Sequence, residues 1–170
     1  MRIAQIDTCD LANGPGARLS VWVSGCTHHC KNCFNPELWD FSKGMEYNKL
    51  LEDNIIKDLN REYIAGLSIL GGDPLEPENQ EGILSLVKRA KKECPNKTIF
   101  IWTGYDFEDL VHTPARCILA YVDVLIDGRF IEELKDLSLP LRGSSNQRVI
   151  DVQASLKNNE ITEDSRWQKA

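Results

Sequence analysis

Leu19-Ser20-Val21-Trp22-Val23-Ser24-Gly25-Cys26-Thr27-His28-His29-Cys30-Lys31-Asn32-Cys33-Phe34-Asn35-Pro36 joins a short apolar run to a loop with three cysteines in eight positions. Leu19–Val23 is rich in branched and aromatic side chains and reads as a buried strand, so the cysteines sit where that strand ends. Scattered core cysteines would not cluster in this way. A loop of this length wraps three thiolates around one metal centre, with Gly25 and Pro36 bending the backbone. Two centres fit that description. A zinc knuckle would be closed by His28 or His29 as fourth ligand. An iron–sulfur cube on three cysteines would keep one iron open to an outside ligand. Structural zinc usually draws ligands from two segments, whereas every candidate here lies in one loop, so the cube is the better reading. His28 and His29 then read as polar loop residues.

Outward from the loop, strand-like and helix-like segments alternate. Leu51, Ile55, Leu59 and Tyr63 recur every four residues and predict one helix, and Ile83, Val87 and Ala90 mark another that Pro77 would open. Between and after them, Leu67–Leu70 and Thr98–Trp102 read as strands. A short helix is expected over Phe107–Val111, a further strand over Val122–Asp127 before Gly128, and a last one at Val149–Val152. Such alternation implies an α/β fold with a mostly parallel sheet. Four or five strands cannot close an eight-stranded barrel, so the fold is expected to stay open, as the partial βα barrel that the resemblance set out below implies. Residues 1–155 read as a single domain and 156–170 as a polar, mobile C-terminal tail.

Composition narrows the function. Of 170 residues, 42% are hydrophobic and 27% charged, which suits a buried core. No apolar stretch reaches a membrane span and the N-terminal residues lack the apolar core of a signal peptide, so a cytoplasmic protein with no membrane partner is expected. With 20 Lys and Arg against 26 Asp and Glu, the net charge of −6 has the wrong sign for direct nucleic-acid binding. Six cysteines without a signal peptide point to metal or thiol chemistry rather than disulfides. Cys9, Cys94 and Cys117 lack ligand spacing and read as buried small hydrophobes. Lys88, Arg89, Lys91 and Lys92 read as a solvated helix end.

Cys26-x3-Cys30-x2-Cys33 after a strand of an α/β domain resembles the radical S-adenosylmethionine superfamily. The form Gly25-Cys26-x-His28-x-Cys30-x-x-Cys33-x-Asn35 and the later Gly71-Gly72-Asp73-Pro74-Leu75 resemble, within it, the activating proteins of anaerobic (class III) ribonucleotide reductases. The likeness covers most of residues 1–150. It implies a [4Fe-4S] cluster on Cys26, Cys30 and Cys33 whose fourth iron is chelated by the amino and carboxylate groups of S-adenosyl-L-methionine. It further implies that Gly71, Gly72 and Asp73 receive the methionyl amino group, an ammonium that needs acceptors. Many members carry an aromatic residue just before the third cysteine, where this chain has Asn32. Backbone groups of Asn32 and Cys33 and the ring of Phe34 are the candidates for adenine contact.

Thr103, Asp127 and Arg129 end two further strands and should open on the same rim. Asp127 and Arg129 resemble the Asp-x-Lys segment of glycyl-radical activating enzymes, which lies near nucleoside and substrate. Leu141–Arg148 reads as a polar loop with a hint of ligand or partner binding. The implied partners are the glycyl-radical catalytic subunit of the anaerobic reductase and a one-electron donor such as reduced flavodoxin. No general base is assigned. The alternatives are another small radical S-adenosylmethionine enzyme, either a different glycyl-radical activase or one like 7-carboxy-7-deazaguanine synthase, and a non-catalytic zinc-binding adaptor.

Overall fold

In the computed structural model, which describes residues 1–167, strand β2 (Ala17–Val23) runs into the cysteine loop from the middle of a seven-stranded sheet. The strands are β1 (Arg2–Asp10), β2, β3 (Met45–Glu46), β4 (Ile64–Gly71), β5 (Thr98–Trp102), β6 (Val124–Asp127) and β7 (Arg148–Asp151), in spatial order β3-β1-β2-β4-β5-β6-β7. The central strands β2, β4, β5 and β6 are parallel, as the alternation predicts. The flanks are antiparallel: β1 pairs β2 and β3, and β7 pairs β6. A short connection suffices for the β1–β2 hairpin, and no regular crossover helix separates β6 from β7, so neither pair needs to be parallel.

Helices α1 (Lys49–Leu59), α2 (Pro77–Glu93), α3 (Phe107–Leu110), α4 (Arg116–Leu119) and α5 (Val152–Asn158) follow the strands. Alternate strand residues sort to two faces. Leu19, Val21 and Val23, Leu67 and Ile69, Ile99 and Ile101, and Leu125 meet the apolar stripes of α1 and α2 in the main core. Phe100, Val124, Ile126 and Val149 form a second cluster on the other face, with Trp102, Leu141 and Trp167 against it. There, fully buried Arg18 donates to Ser68, Thr98 and the Leu67 carbonyl and lies 4.2 Å from the Phe100 ring centroid.

Several expectations need correction. The strand before the cysteines is preceded by β1, which offers no apolar alternation to read because only Ile3 and Asp10 of its nine residues are buried. Tyr63 is 56% exposed and lies beyond α1, which ends at Leu59. The expected tail begins inside α5, and its described part returns to the sheet through an Ile150–Glu163 bridge and buried Asp164; 168–170 lie outside the described residues. Cys94 is buried, but Cys9 and Cys117 are exposed on the outer sides of their elements. Arg89 is not merely solvated, since it pairs with Glu52, Asp53 and Glu93, and Lys91 pairs with Asp123.

Candidate metal centre

At the carboxyl ends of the parallel strands lies a cavity of about 430 Å³. Open α/β sheets place ligands at this end. Cys26, Cys30 and Cys33 all line it, as do Gly71, Gly72, Asp73, Thr103 and Phe34. Trp22, Leu70 and Trp102, adjacent on β2, β4 and β5, contribute apolar walls from the second sheet face.

The cysteine loop is packed against the turn after β4. Asp73 N–H donates to the Gly25 carbonyl at 2.8 Å, and Gly72 N–H to the Val23 carbonyl at 2.8 Å. A Cβ at residue 72 would stand 2.5 Å from the Gly25 oxygen, so the two loops come this close only because residue 72 is glycine. His29 and Asn32 both take left-handed backbone conformations, turning the chain between the ligand positions. The His29 ring stacks on Trp39 with centroids 4.6 Å apart.

Burial pushes the Cys26 thiol up to about 12, opposed in part by the His28 amide. Burial also raises Cys30, against the nearby Arg129 charge and the Phe130 amide. At Cys33 the Asn35 amide donates to Sγ at 3.4 Å. Each sulfur thus has a main-chain amide beside it, an arrangement that stabilises thiolates once a metal replaces the proton. The thiols, one cavity and the amides fit an iron–sulfur cluster. A single zinc at about 2.3 Å from each ligand would bring sulfurs within roughly 4 Å of one another. Among the described residues, the set with ligand atoms mutually within 4.8 Å is Cys26, His28 and Glu76, holding one of the three loop cysteines. Glu76 is already an acceptor for the Thr27 amide and hydroxyl and the Tyr105 hydroxyl.

Asp73 is buried, and its carboxylate accepts from Leu75 N–H, Thr103 Oγ1, Gly104 N–H and His28 Nε2. Asp127 departs from its expected direction. Its carboxylate is fully buried, accepts the Phe107 amide at 2.9 Å and pairs with the Arg148 guanidinium. It does not border the cavity, whose lining on that turn is Gly128 and Phe130. Arg129 is exposed and donates to the His28 carbonyl at 2.7 Å, tying its turn to the cysteine loop. Asn32 is exposed and outside the cavity lining, whereas Phe34 packs on Phe130 with centroids 5.1 Å apart.

The 141–147 loop contributes more than its polarity suggested. Gln147 accepts from the Gly143 and Ser144 amides and donates to the Gly128 carbonyl, and Asn146 donates to the Arg129 carbonyl. Leu141, Arg142, Gly143 and Gln147 thereby form a wall of the cavity. Trp22 and Trp102 were read as core strand residues, and only the sheet topology reveals their place in the cavity wall.

A family model described as a 4Fe-4S single cluster domain matches residues 12–150. A Haemophilus influenzae protein named anaerobic ribonucleoside-triphosphate reductase-activating protein is 48% identical over 151 residues, covering 88% of this chain and 97% of its own. The chain belongs to this family. Relatives of the same name in Escherichia coli K12 and Enterobacteria phage T4 are 45% and 41% identical, each over 88% of this chain and over 97% and 93% of their own. The span matched by the 4Fe-4S model takes in the parallel strands β2, β4, β5 and β6 and all three cavity cysteines.

Proposed function

We propose that this chain is an activating enzyme that uses S-adenosylmethionine and a [4Fe-4S] cluster to make a glycyl radical on anaerobic ribonucleoside-triphosphate reductase. The carrying observation is that Cys26, Cys30 and Cys33 border one cavity with the Gly71–Gly72 turn, in a chain whose relatives bear that activating name. When bound, the cluster supplies an electron for cleavage of the sulfonium, and the 5′-deoxyadenosyl radical released takes a hydrogen atom from a glycine of the reductase.

The chain's own residues bind, orient and exclude. Cys26, Cys30 and Cys33 would hold the cluster through three thiolates, leaving a place for the cosubstrate's amino and carboxylate groups. Gly71 and Gly72 admit the methionyl end close to the backbone, and Phe34 and the backbone near Cys33 offer contacts to adenine. Thr103 belongs to this reading through Asp73. Asp127, committed to Arg148, does not touch the nucleoside, and Arg129 ties the turn that carries Phe130 to the cysteine loop. Asn32 acts through its left-handed backbone rather than its side chain. Trp22, Leu70 and Trp102 keep water from a radical that attacks most C–H bonds.

In this reading the sheet is the open portion of a βα barrel with the cavity on its inner face. Its open side admits a segment of a large protein. Reduced flavodoxin is the kind of one-electron donor required, and the reducing cytoplasm suits both it and the free thiols. Among the described residues no helix is long and apolar enough to cross a membrane.

Electron paramagnetic resonance of anaerobically reconstituted, reduced protein tests the cluster. The expected result is a four-iron signal altered by S-adenosylmethionine, and then a glycyl radical when the reductase is added. Zinc in place of iron after reconstitution overturns the reading. An altered signal without a radical on the reductase moves the assignment to another member of the superfamily.

A further inference from the structure

The Asp73 carboxylate has no room for another donor. Its Oδ1 accepts from Leu75 N–H at 2.8 Å, its Oδ2 from Gly104 N–H at 2.8 Å and His28 Nε2 at 2.9 Å, and the Thr103 hydroxyl lies between them at 2.9 Å and 3.0 Å. Two carboxylate oxygens offer about four lone-pair directions, and four donors fill them. Only 1% of the side chain is exposed, so a ligand ammonium would have to displace one of these donors to reach it.

His28 is the donor that comes from the cysteine loop. Each oxygen of the Asp73 carboxylate already accepts a main-chain amide, which places His28 Nε2 as the donor in this contact. The ring is held on its other sides as well. It lies edge-on to Tyr105 with centroids 4.5 Å apart, and a Cβ at residue 104 would stand 2.5 Å from its Cδ2. Its own carbonyl accepts from Arg129. One side chain thus joins the loop between Cys26 and Cys30 to the turns after β4 and β5.

We infer that His28 is a positioning residue: it clamps the cysteine loop to Asp73, and through Asp73 to Thr103 and Gly104, so that Asp73 orders the cosubstrate site without touching the cosubstrate. The inference deepens the proposed function and rests on it only for its ligand. It departs from the expectation that the Asp73 carboxylate receives the methionyl ammonium.

His28→Gln and His28→Met test it, because the two side chains have nearly the same shape and differ in the donor. In iron-free protein, exchange of the Gly104 amide should quicken at least about tenfold in His28→Met and stay near the wild-type rate in His28→Gln, since only the first frees the acceptor. Imidazole nitrogen resonances of the wild type should report a protonated Nε2. After reconstitution, His28→Met should retain iron and sulfide, while its affinity for S-adenosylmethionine, read from the cosubstrate-induced change in the cluster spectrum, falls about tenfold. His28→Gln should recover most of that loss. The inference is overturned if His28→Met matches the wild type in exchange and affinity; a loss of affinity confined to Asp73→Asn would then mean direct contact. Failure of the wild type to take up iron would count against the proposed function, while the exchange comparison would still decide on the clamp.

Discussion

Asp73 and Asp127 follow or end two parallel strands at the same edge of the sheet, and both are buried, yet they do opposite work. Asp73 gathers donors from three segments and faces the cavity. Asp127 is bound by one guanidinium and one amide, facing away from it. Burial at a strand end does not by itself make a carboxylate a ligand. What decides is the neighbour: for Asp73 the cysteine loop, for Asp127 the antiparallel strand β7, whose register sets Arg148 directly opposite it.

The largest effect should come from Asp73→Ala. Four donors, two of them main-chain amides, would be left in a buried site at about 1–3 kcal/mol each where water cannot reach them. A loss of about 4 kcal/mol or more in urea unfolding is expected, together with loss of the cosubstrate-dependent change in the cluster signal. A variant that is as stable as the wild type would mean that Asp73 is not the hub described.

Asp127→Asn should separate stability from binding. Removing one member of a buried pair leaves Arg148 with Glu108 alone, and a cost of about 3 kcal/mol is expected. The affinity for S-adenosylmethionine should stay within about twofold of the wild type, because the carboxylate does not border the cavity. A preserved melting temperature with a collapsed affinity would reverse the two roles.

The cysteine loop, the strands of the parallel core and α2 were legible because each announces itself locally, through ligand spacing, a short apolar run or a four-residue period. Arg148 was not legible as a partner of Asp127, since the pair forms only when β7 turns back along β6. His28 and Asp73 are 45 positions apart, and nothing in either segment alone joins them. The same holds for Trp22 and Trp102: their apolar character predicts burial, and only the strand order shows that they border a cavity. The described segment after residue 156 meets the sheet through a buried Asp164 and a backbone bridge, neither of which has an apolar periodicity to read.

Two glycines on the neighbouring turns, Gly104 and Gly128, differ in the same sense by a smaller margin. Gly104→Ala would put a methyl group 2.5 Å from the His28 ring, so the ring must shift from Asp73. Gly128→Ala meets no atom closer than 3.7 Å, and its cost is the positive φ of 91°, about 1–2 kcal/mol. Titration of the cluster spectrum should therefore show weaker cosubstrate binding in Gly104→Ala than in Gly128→Ala, with the second visible mainly as a lower melting temperature. Equal affinities would remove the distinction between the two turns.

The smallest effect belongs to Glu108, the outer carboxylate on Arg148. Hydrogen bonds from Arg148 hold its carboxyl below the usual range despite partial burial. A depressed folded-state value stabilises the protein above the ordinary carboxylate pKa of about 4.3, and the contribution disappears as the pH falls through the depressed value. Because the side chain is 55% exposed, solvent screens the pair and its worth should be under about 1 kcal/mol. Urea midpoints of the wild type and Glu108→Gln should therefore differ slightly at pH 7 and converge below about pH 4. A gap that widens on acidification would mean that Glu108 is bound to Arg148 only incidentally, and that Asp127 alone holds β7 to the sheet.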